Sequence, residues 1–384
     1  MHICISSDGY PAPGLPYSSF IGVLAEEMVR QGVTVTVVAP QSYTKHLLRG
    51  YKLAPRYAEY QVAEKLDIPI KVYRPYTLTF GGGRLERLTL FFNKFIVWLT
   101  ICRLRLKPDV FYAHFWTSAY NIYQYARKKK IPLFVATGED VITLQNVISE
   151  KKVKEICDYV RGVICVSSKN MQESIHLKLA TQEKCQVIPN AVSSHDFYLM
   201  NKNEVRRKMN FPKDSFIVAF CGRFNKRKGA LRVSEAINRI NDPEVKSIFI
   251  GSNVELEKQK PNCDGILFIG ELPHADIVYY LNCADVFILP TLAEGCSNSI
   301  VEAMACGLPI ISSDMSFNHD ILDETNAILV DPMNIEEIAN AISRLKNNLS
   351  LCNSMGKSSL DKSRQLSISI RVNRILNFIK SNNE

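Results

Sequence analysis

Residues 2–40 read HICISSDGYPAPGLPYSSFIGVLAEEMVRQGVTVTVVAP. The opening run is apolar, as a buried strand requires, and a Gly/Pro-punctuated loop follows it. Phe20, Leu24 and Met28 then recur at four-residue spacing with Val23 beside them. That spacing predicts a helix that Ser18 or Ser19 can cap and Gly32 ends. VTVTVVAP is a second strand. Strand, helix and strand joined by short connections begin a parallel sheet.

The alternation continues along the chain. Strands are predicted at 108–114, 131–137, 162–168 and 185–191, with a helix ending in Arg127-Lys128-Lys129-Lys130 between the first two. A polar, irregular stretch over 193–215 reads as a linker. From Phe216 the pattern restarts: FIVAFCGRF, the helix LRVSEAINRI, then SIFIGS, GILFIGE, DVFILP, PIISSD and ILVDP. The economical reading is an α/β protein of two doubly wound, Rossmann-like domains facing across a cleft. Such sheets bind ligands beyond the carboxyl ends of their strands, so the cleft is where a site is expected.

Composition is consistent with this. The chain has 384 residues, 46% hydrophobic and 22% charged, enough for two cores. Eleven cysteines are scattered without a C-x-x-C pair, which points to reduced thiols and away from structural zinc. Met1 leads directly into strand-like sequence, so no signal peptide is expected and a cytoplasmic setting is the natural one. Residues 1–200 hold 25 Lys+Arg against 16 Asp+Glu, which carries the whole net charge of +9. A basic first half suits an anionic partner or surface, or is simply a solvated basic face. No helix-turn-helix, zinc finger or ribonucleoprotein motif is present, so nucleic acid is not expected as a partner.

LTLFFNKFIVWLTIC, at 88–102, lies among Arg84, Arg87, Arg103, Arg105 and Lys107. It is shorter than the roughly 20 apolar residues of a membrane span and carries Asn93 and Lys94. Thr89, Asn93, Thr100 and Arg103 fall near one narrow polar stripe. A helix packed on its own sheet explains the stretch; a helix lying in a membrane interface is the alternative.

Two motifs carry chemistry. At 292–314 the chain reads LAEGCSNSIVEAMACGLPIISSD, with Glu294 and Glu302 on either side of a small polar loop. Ser299 and Glu302 match a capping box, and Gly307 with Pro309 supplies the stop, so Glu302 has a purely structural reading. That reading leaves Glu294, Gly295, Cys296, Ser297 and Asn298 unexplained. Small residues leading into a helix start leave N–H groups and a positive dipole end open to an anion such as a diphosphate. The carboxylates could accept from sugar hydroxyls. The second motif, CGRFNKRKGA at 221–230, follows a strand directly. Arg223 and Lys228 flank a turn that Gly229 closes, and a guanidinium with an ammonium suits a leaving diphosphate.

GRFNKRKG paired with EGCSNSIVEAMACGLPIISSD resembles glycosyltransferase family 4, the retaining, nucleotide-sugar-dependent enzymes of the GT-B fold. PDVFYAHF, VIPNAV, CADVFILPT and NAILVDP match further landmarks, and the likeness covers nearly the whole chain. The resemblance implies Glu294 at the transferred sugar, Glu302 at the nucleotide ribose, and Arg223 and Lys228 at the diphosphate. Gly229 and the loop Gly295, Cys296, Ser297, Asn298 and Ser299 would border the diphosphate, with the base near Gly270 and Leu272. It implies an acceptor-side domain over 1–195, a donor domain over 196–365, and a final helix over 366–384 returning to the first domain. The sequence departs from the family at three places. Gly14 is followed by Leu15 and Pro16 where a second glycine is frequent. Cys296 replaces a common aromatic or proline, and Thr137-Gly138-Glu139-Asp140 stands where His-Gly is frequent. His114 and Glu139 are therefore the candidates for a role at the reaction centre.

The expectation is a glycosyltransferase using a UDP- or GDP-linked sugar as substrate, with no cofactor and, lacking an acidic D-x-D triplet, no metal. The acceptor would be a glycan or lipid-linked glycan, and an anionic membrane surface is a possible partner, the chain lying peripherally on its cytoplasmic face. Another enzyme of the same fold, a phosphorylase or a sugar-nucleotide epimerase, stays open. So does a nucleotide-binding protein without chemistry.

Overall fold

The computed structural model describes residues 1–15, 18–62, 68–80, 85–253 and 259–383; Arg84 and Pro16 lie outside them. The chain forms two compact units, Met1–Ile188 with Arg371–Glu384, and Pro189–Ile370.

In the first unit the strands are β1 (His2–Ser7), β2 (Thr34–Val38), β3 (Gln41–Ser42), β4 (Tyr57–Tyr60), β5 (Ile70–Tyr73), β6 (Tyr76–Thr77), β7 (Val110–His114), β8 (Leu133–Thr137), β9 (Gly162–Cys165) and β10 (Cys185–Val187). The helices are α1 (Ser19–Arg30), α2 (Tyr43–Arg49), α3 (Glu86–Arg103), α4 (Trp116–Lys129), α5 (Glu150–Tyr159) and α6 (Ser168–His176). Eight strands make one sheet in the order β10-β9-β8-β7-β1-β2-β5-β4, and β3 pairs with β6 apart from it. Every neighbour in the large sheet is parallel except β4, which runs antiparallel to β5 at the edge. VFYAH and LFVAT are buried at every position. Continuous apolar strands are what a parallel sheet covered on both faces demands.

The second unit contains β11 (Phe216–Cys221), β12 (Val245–Ile250), β13 (Ile266–Gly270), β14 (Val286–Leu289), β15 (Ile310–Ser313) and β16 (Ala327–Val330). Its helices are α7 (Lys202–Lys208), α8 (Ala230–Ile240), α9 (His274–Cys283), α10 (Asn298–Ala305), α11 (Ile335–Asn347) and α12 (Leu349–Gln365). The order β13-β12-β11-β14-β15-β16 is all parallel and reverses direction between β11 and β14. That reversal is a topological switch point, where the loops leaving adjacent strands diverge and open a crevice.

Three sequence expectations are corrected. The supposed linker contains α7, capped by the Asn201 side chain. It is fixed by Arg206, whose guanidinium donates to Asp285 at 2.6 Å and to the carbonyls of Cys283, Lys213 and Ser215. A long polar run concealed a helix because its anchor is a buried ion pair rather than apolar spacing. Ser18 occupies the start of α1 but makes no capping bond, its backbone being left-handed at φ 59°. The first half of the polar stripe of α3 faces protein: Thr77 Oγ1 donates to Asn93 Oδ1 at 2.8 Å, and Phe80 N to Thr89 Oγ1 at 2.9 Å, whereas Thr100 bonds to the Ile96 carbonyl of its own helix and Arg103 is exposed. Only Leu90, Val97 and Ile101 of α3 are buried, so the helix packs one narrow face, against α4.

The last helix, α13 (Ile368–Ser381), starts in the second unit and from Arg371 onward belongs to the first. Arg371 donates to the carbonyl of Ile188 at 3.1 Å, and Arg374 to that of Val187 at 2.9 Å. Phe378 lies edge-on to Phe134, with ring centroids 6.0 Å apart. Gly162 at the start of β9 makes room for that ring: a Cβ there would sit 2.6 Å from Phe378 and 2.9 Å from Phe134. Gly162→Ala is expected to destabilise the protein by about 1–3 kcal/mol through overpacking, read by urea denaturation. Adding Phe378→Leu, which shortens the obstructing side chain, should recover part of the loss. Equal stability of Gly162→Ala and the parent would mean that α13 is not seated on this strand.

Candidate functional site

The second unit's switch point brings the two motifs together. The 221–230 loop leaves β11, the 290–297 loop leaves β14, and several bonds lace one to the other. Leu292 N donates to the Arg227 carbonyl at 2.9 Å, and Arg227 Nη1 to the Ala293 carbonyl at 2.6 Å. Arg232, one turn into α8, donates to the carbonyls of Lys226 and Pro290, both at 2.7 Å. Gly229 has φ 83°, and a Cβ on it would meet Arg232 at 2.5 Å and the Pro290 oxygen at 2.9 Å. No other residue fits there.

Glu294 is the centre of this lacing and is only 7% exposed. Its Oε1 accepts from Lys228 Nζ, from Thr291 Oγ1 at 3.0 Å and from Arg227 Nη1 at 3.3 Å. Three donors converge on one oxygen, and Oε2 accepts from none of the described residues. Taking a carboxylate and an ammonium out of water is costly, and such a pair persists only when further hydrogen bonds satisfy it. Here Thr291 and Arg227 supply them. Lys228 is itself set by its backbone N–H, which donates to Asn225 Oδ1 at 2.8 Å. Arg223 differs: no hydrogen bond or ion pair of its guanidinium occurs among the described residues.

The capping box is corrected. Helix α10 begins at Asn298 with Ser297 as its N-cap, so Glu302 lies in the second turn, beyond reach of that role. Gly307, at φ 74°, does end the helix, its N–H bonding back to Met304 and that of Leu308 to Ala303. Ser297 Oγ pairs with Ser299 Oγ at 3.1 Å. The backbone N–H groups of Ser297, Asn298 and Ser299 meet no acceptor among the described residues, leaving the helix start open to an anion. Asn190 holds the loop by donating to the Cys296 carbonyl at 2.8 Å.

Glu302 instead accepts from His274 Nε2 on Oε1 at 3.0 Å. The sequence reading had not singled out His274. It opens α9 right after the Gly270–Leu272 segment, and its ring meets the edge of Phe197 at 5.0 Å. The carboxylate of Glu302 raises the imidazole's pKa above its ordinary value, against the opposing effect of burial. A histidine beside a carboxylate 28 residues away leaves no local sequence signal. Gly270, at the end of β13 with φ 153°, has only the Phe268 ring, at 3.7 Å, near the position of a Cβ. Its chain neighbours aside, nothing else among the described residues comes within 4 Å of that position. Gly251 at the end of β12, φ 150°, would place a Cβ 2.0 Å from the Gly222 oxygen, so β11 and β12 end in close backbone contact that only glycine permits.

In the first unit His114 ends β7 and Glu139 follows β8. His114 is buried, with Nδ1 lacking a partner among the described residues, and its ring packs on Phe115 and Phe20. Burial, reinforced by the Arg371 charge, pushes its pKa down to about 3, so the imidazole is neutral near pH 7. Glu139 accepts from Trp116 N at 3.2 Å on one oxygen, and from Thr137 Oγ1 at 2.6 Å and Gly138 N at 2.9 Å on the other. Burial raises its pKa while these bonds oppose the shift. Both oxygens are engaged in tying the end of β8 to the start of α4. Gly14 (φ 72°) sits in a tight turn in which Ala12 and Leu15 exchange backbone bonds at 3.0 and 2.8 Å. With Pro13 before it, the turn alone accounts for this glycine.

Two family profiles match the chain, "Glycosyltransferase Family 4" over residues 18–195 and "Glycosyl transferases group 1" over residues 201–361. The Bacillus subtilis glycosyltransferase TuaC, ascribed to teichuronic acid biosynthesis, is 25% identical over 325 residues, covering 83% of this chain and 82% of that protein. An Escherichia coli UDP-Gal:alpha-D-GlcNAc-diphosphoundecaprenol alpha-1,3-galactosyltransferase is 28% identical over 48% of this chain and 50% of its own. Among solved structures, sucrose-phosphate synthase from Thermosynechococcus elongatus gives a TM-score of 0.77 at 18% identity, covering 99% of this chain and 98% of that one. Anabaena HepE in complex with UDP gives 0.74 at 18% identity, covering 99% and 100%. The paired motifs around Glu294, the two parallel sheets and these matches agree: the chain belongs to glycosyltransferase family 4 and is a glycosyltransferase of the GT-B fold.

Proposed function

We propose that this glycosyltransferase moves a sugar, with retention, from a UDP- or GDP-linked donor to a glycan or lipid-linked acceptor. The setting is bacterial-type cell-surface polysaccharide synthesis at the cytoplasmic face of a membrane. The observation that carries the reading is the convergence of Lys228 and Arg227 on one oxygen of Glu294, beside unpartnered N–H groups at a helix start. The names of the relatives support the pathway: teichuronic acid in one, a diphosphoundecaprenol acceptor in another. A UDP complex of a structural neighbour supports a nucleoside diphosphate ligand.

The chemistry follows from the charges. An arriving diphosphate brings a second anion to Lys228, whose ammonium has three donors and uses one on Glu294. Arg223, without a side-chain partner among the described residues, adds a guanidinium. The N–H groups of Ser297, Asn298 and Ser299 add dipoles that need no reorganisation. As the C1–oxygen bond breaks, its electron pair goes to the diphosphate, where these groups stabilise it. The acceptor oxygen bonds to C1 and its proton passes to the departing phosphate oxygen. Oε2 of Glu294 can accept from a hydroxyl of the transferred sugar, and the second oxygen of Glu302 from the ribose. The strand end at Gly270 and Leu272 suits a flat base. A neutral His114 and a fully bonded Glu139 serve better to shape their surroundings than to move protons.

Arg223→Ala is expected to lower nucleoside diphosphate affinity about ten- to hundredfold, since a charge-assisted hydrogen bond contributes roughly 1.5–3 kcal/mol. Lys228→Ala should do at least as much while also leaving Glu294 less satisfied. Calorimetry with unchanged affinity in both would remove this loop from the site. The glutamates should differ in kind. Glu302→Gln weakens nucleoside diphosphate and intact donor alike, whereas Glu294→Gln spares the diphosphate and lowers turnover of the full donor. Parental turnover in Glu294→Gln would sink its assignment to the sugar.

The His274–Glu302 pair predicts a pH dependence. A histidine whose pKa is raised by its partner keeps that attraction below the ordinary value of 6.5 and loses it as pH rises through the raised one. Glu302 and, at longer range, Asp196 supply the negative charge. If the proton on His274 steadies Glu302 against the ribose, nucleoside diphosphate affinity declines over the pH window just above 6.5. His274→Gln, which can donate but does not titrate, should flatten that decline. Identical pH profiles of the variant and the parent would separate His274 from nucleotide binding.

A further inference from the structure

The first unit carries an apolar surface that its fold leaves uncovered. On α3, Leu88, Phe91, Phe95 and Trp98 follow one another at three- and four-residue spacing and are 45, 60, 48 and 42% exposed. On α2, Leu47 and Leu48 are 64 and 81% exposed. The two helices are joined through the segment around β6. Ser42 and Thr44, at the start of α2, bond to Thr79 at 2.5 and 2.7 Å. Thr77 and Phe80 bond to Asn93 and Thr89 of α3. Tyr43 of α2 stacks on Tyr76 of β6 at 5.5 Å. The polar side chains that would ordinarily face water are turned inward as clamps, and the large apolar ones face out.

The charge around this surface is predominantly positive. Residues 41–56 contain Lys45, Arg49, Lys52 and Arg56 and no carboxylate; 85–107 contain exposed Arg87, Arg103, Arg105 and Lys107 against a single carboxylate, Glu86. Like charge disfavours pairing with a second copy of the same face and complements an anionic bilayer. Aromatic rings with cations beside them suit the headgroup level, where rings enter the acyl boundary and cations meet phosphates. No helix among the described residues is long and apolar enough to cross a membrane.

We infer that α2, the β6 segment and α3 form a docking face for an anionic lipid bilayer, with Phe91, Phe95 and Trp98 entering from one helix and Leu47 and Leu48 from the other. The inference rests on the membrane setting of the proposed function and not on its donor or acceptor, so its failure would leave the transferase reading standing.

The chain has two tryptophans, and Trp116 is only 1% exposed, so a fluorescence change on adding vesicles reports Trp98. The full chain is mixed with vesicles of phosphatidylglycerol and phosphatidylcholine, or of phosphatidylcholine alone, at rising salt. Expected are co-sedimentation and a blue shift only with the anionic vesicles, both fading with salt. Phe95→Ser with Trp98→Ser, and separately Leu47→Ser with Leu48→Ser, should each cut the bound fraction about tenfold. Melting temperatures should be unchanged, since these side chains are exposed. Lys128→Ser with Lys129→Ser, which removes charge at the end of α4, should bind as the parent does. Equal pelleting with neutral vesicles, no pelleting, or loss of binding in the α4 variant alone would each overturn the inference. So would a concentration-dependent dimer that the α3 variant abolishes.

Discussion

The second unit depends on one buried carboxylate being satisfied. Glu294 stands where the loop after β14 passes the loop after β11, and three donors from both loops meet on a single oxygen. Alone in that place its charge would be expelled, either by protonation or by opening of the loop. Held as it is, it fixes Lys228 and Arg227 at the carboxyl ends of the strands. The backbone answers with Gly229 and Gly251, which let the strand ends approach more closely than side chains would allow. In the proposed function this ion pair shares its cation with an incoming diphosphate, and preorganised dipoles of this kind are what stabilise developing negative charge.

Glu302 illustrates how one residue can satisfy a local pattern and be used for something else. Its spacing from Ser299 fits a capping box, yet the helix begins one residue before that serine, with Ser297 as its N-cap, and the carboxylate reaches His274 on another helix. In the first unit Glu139 makes the opposite impression. It is a buried acid beside a strand end, which looks chemical, but both its oxygens are spent on backbone and threonine donors.

The first unit also shows that amphipathicity can be inverted by neighbours. Thr89 and Asn93 of α3 look like a solvent stripe until Thr77 and the Phe80 amide are seen to occupy them. With these partners in place, the aromatic row is left outside among cations.

Local sequence determined the alternation of elements, and hence the doubly wound class. Buried parallel strands must be apolar throughout, and turns between them need Gly and Pro, so HICISS, VFYAH, FIVAFC and their fellows announce themselves. It also singled out Arg223, Lys228, Glu294 and Glu302 as candidates, from a glycine-closed basic turn, a small-residue loop before a helix and the family resemblance these carry. It did not show β5 or the edge strand β4, each only four residues long and so too short for a clear apolar run. It missed α7, whose anchor, Asp285, lies 79 residues beyond Arg206. His274 as partner of Glu302, the pairing of Lys228 with Glu294, and the outward face of α3 were likewise decided by the tertiary structure. Each depends on which distant group arrives to pair a charge or fill a hydrogen bond, and no spacing along the chain encodes that arrival.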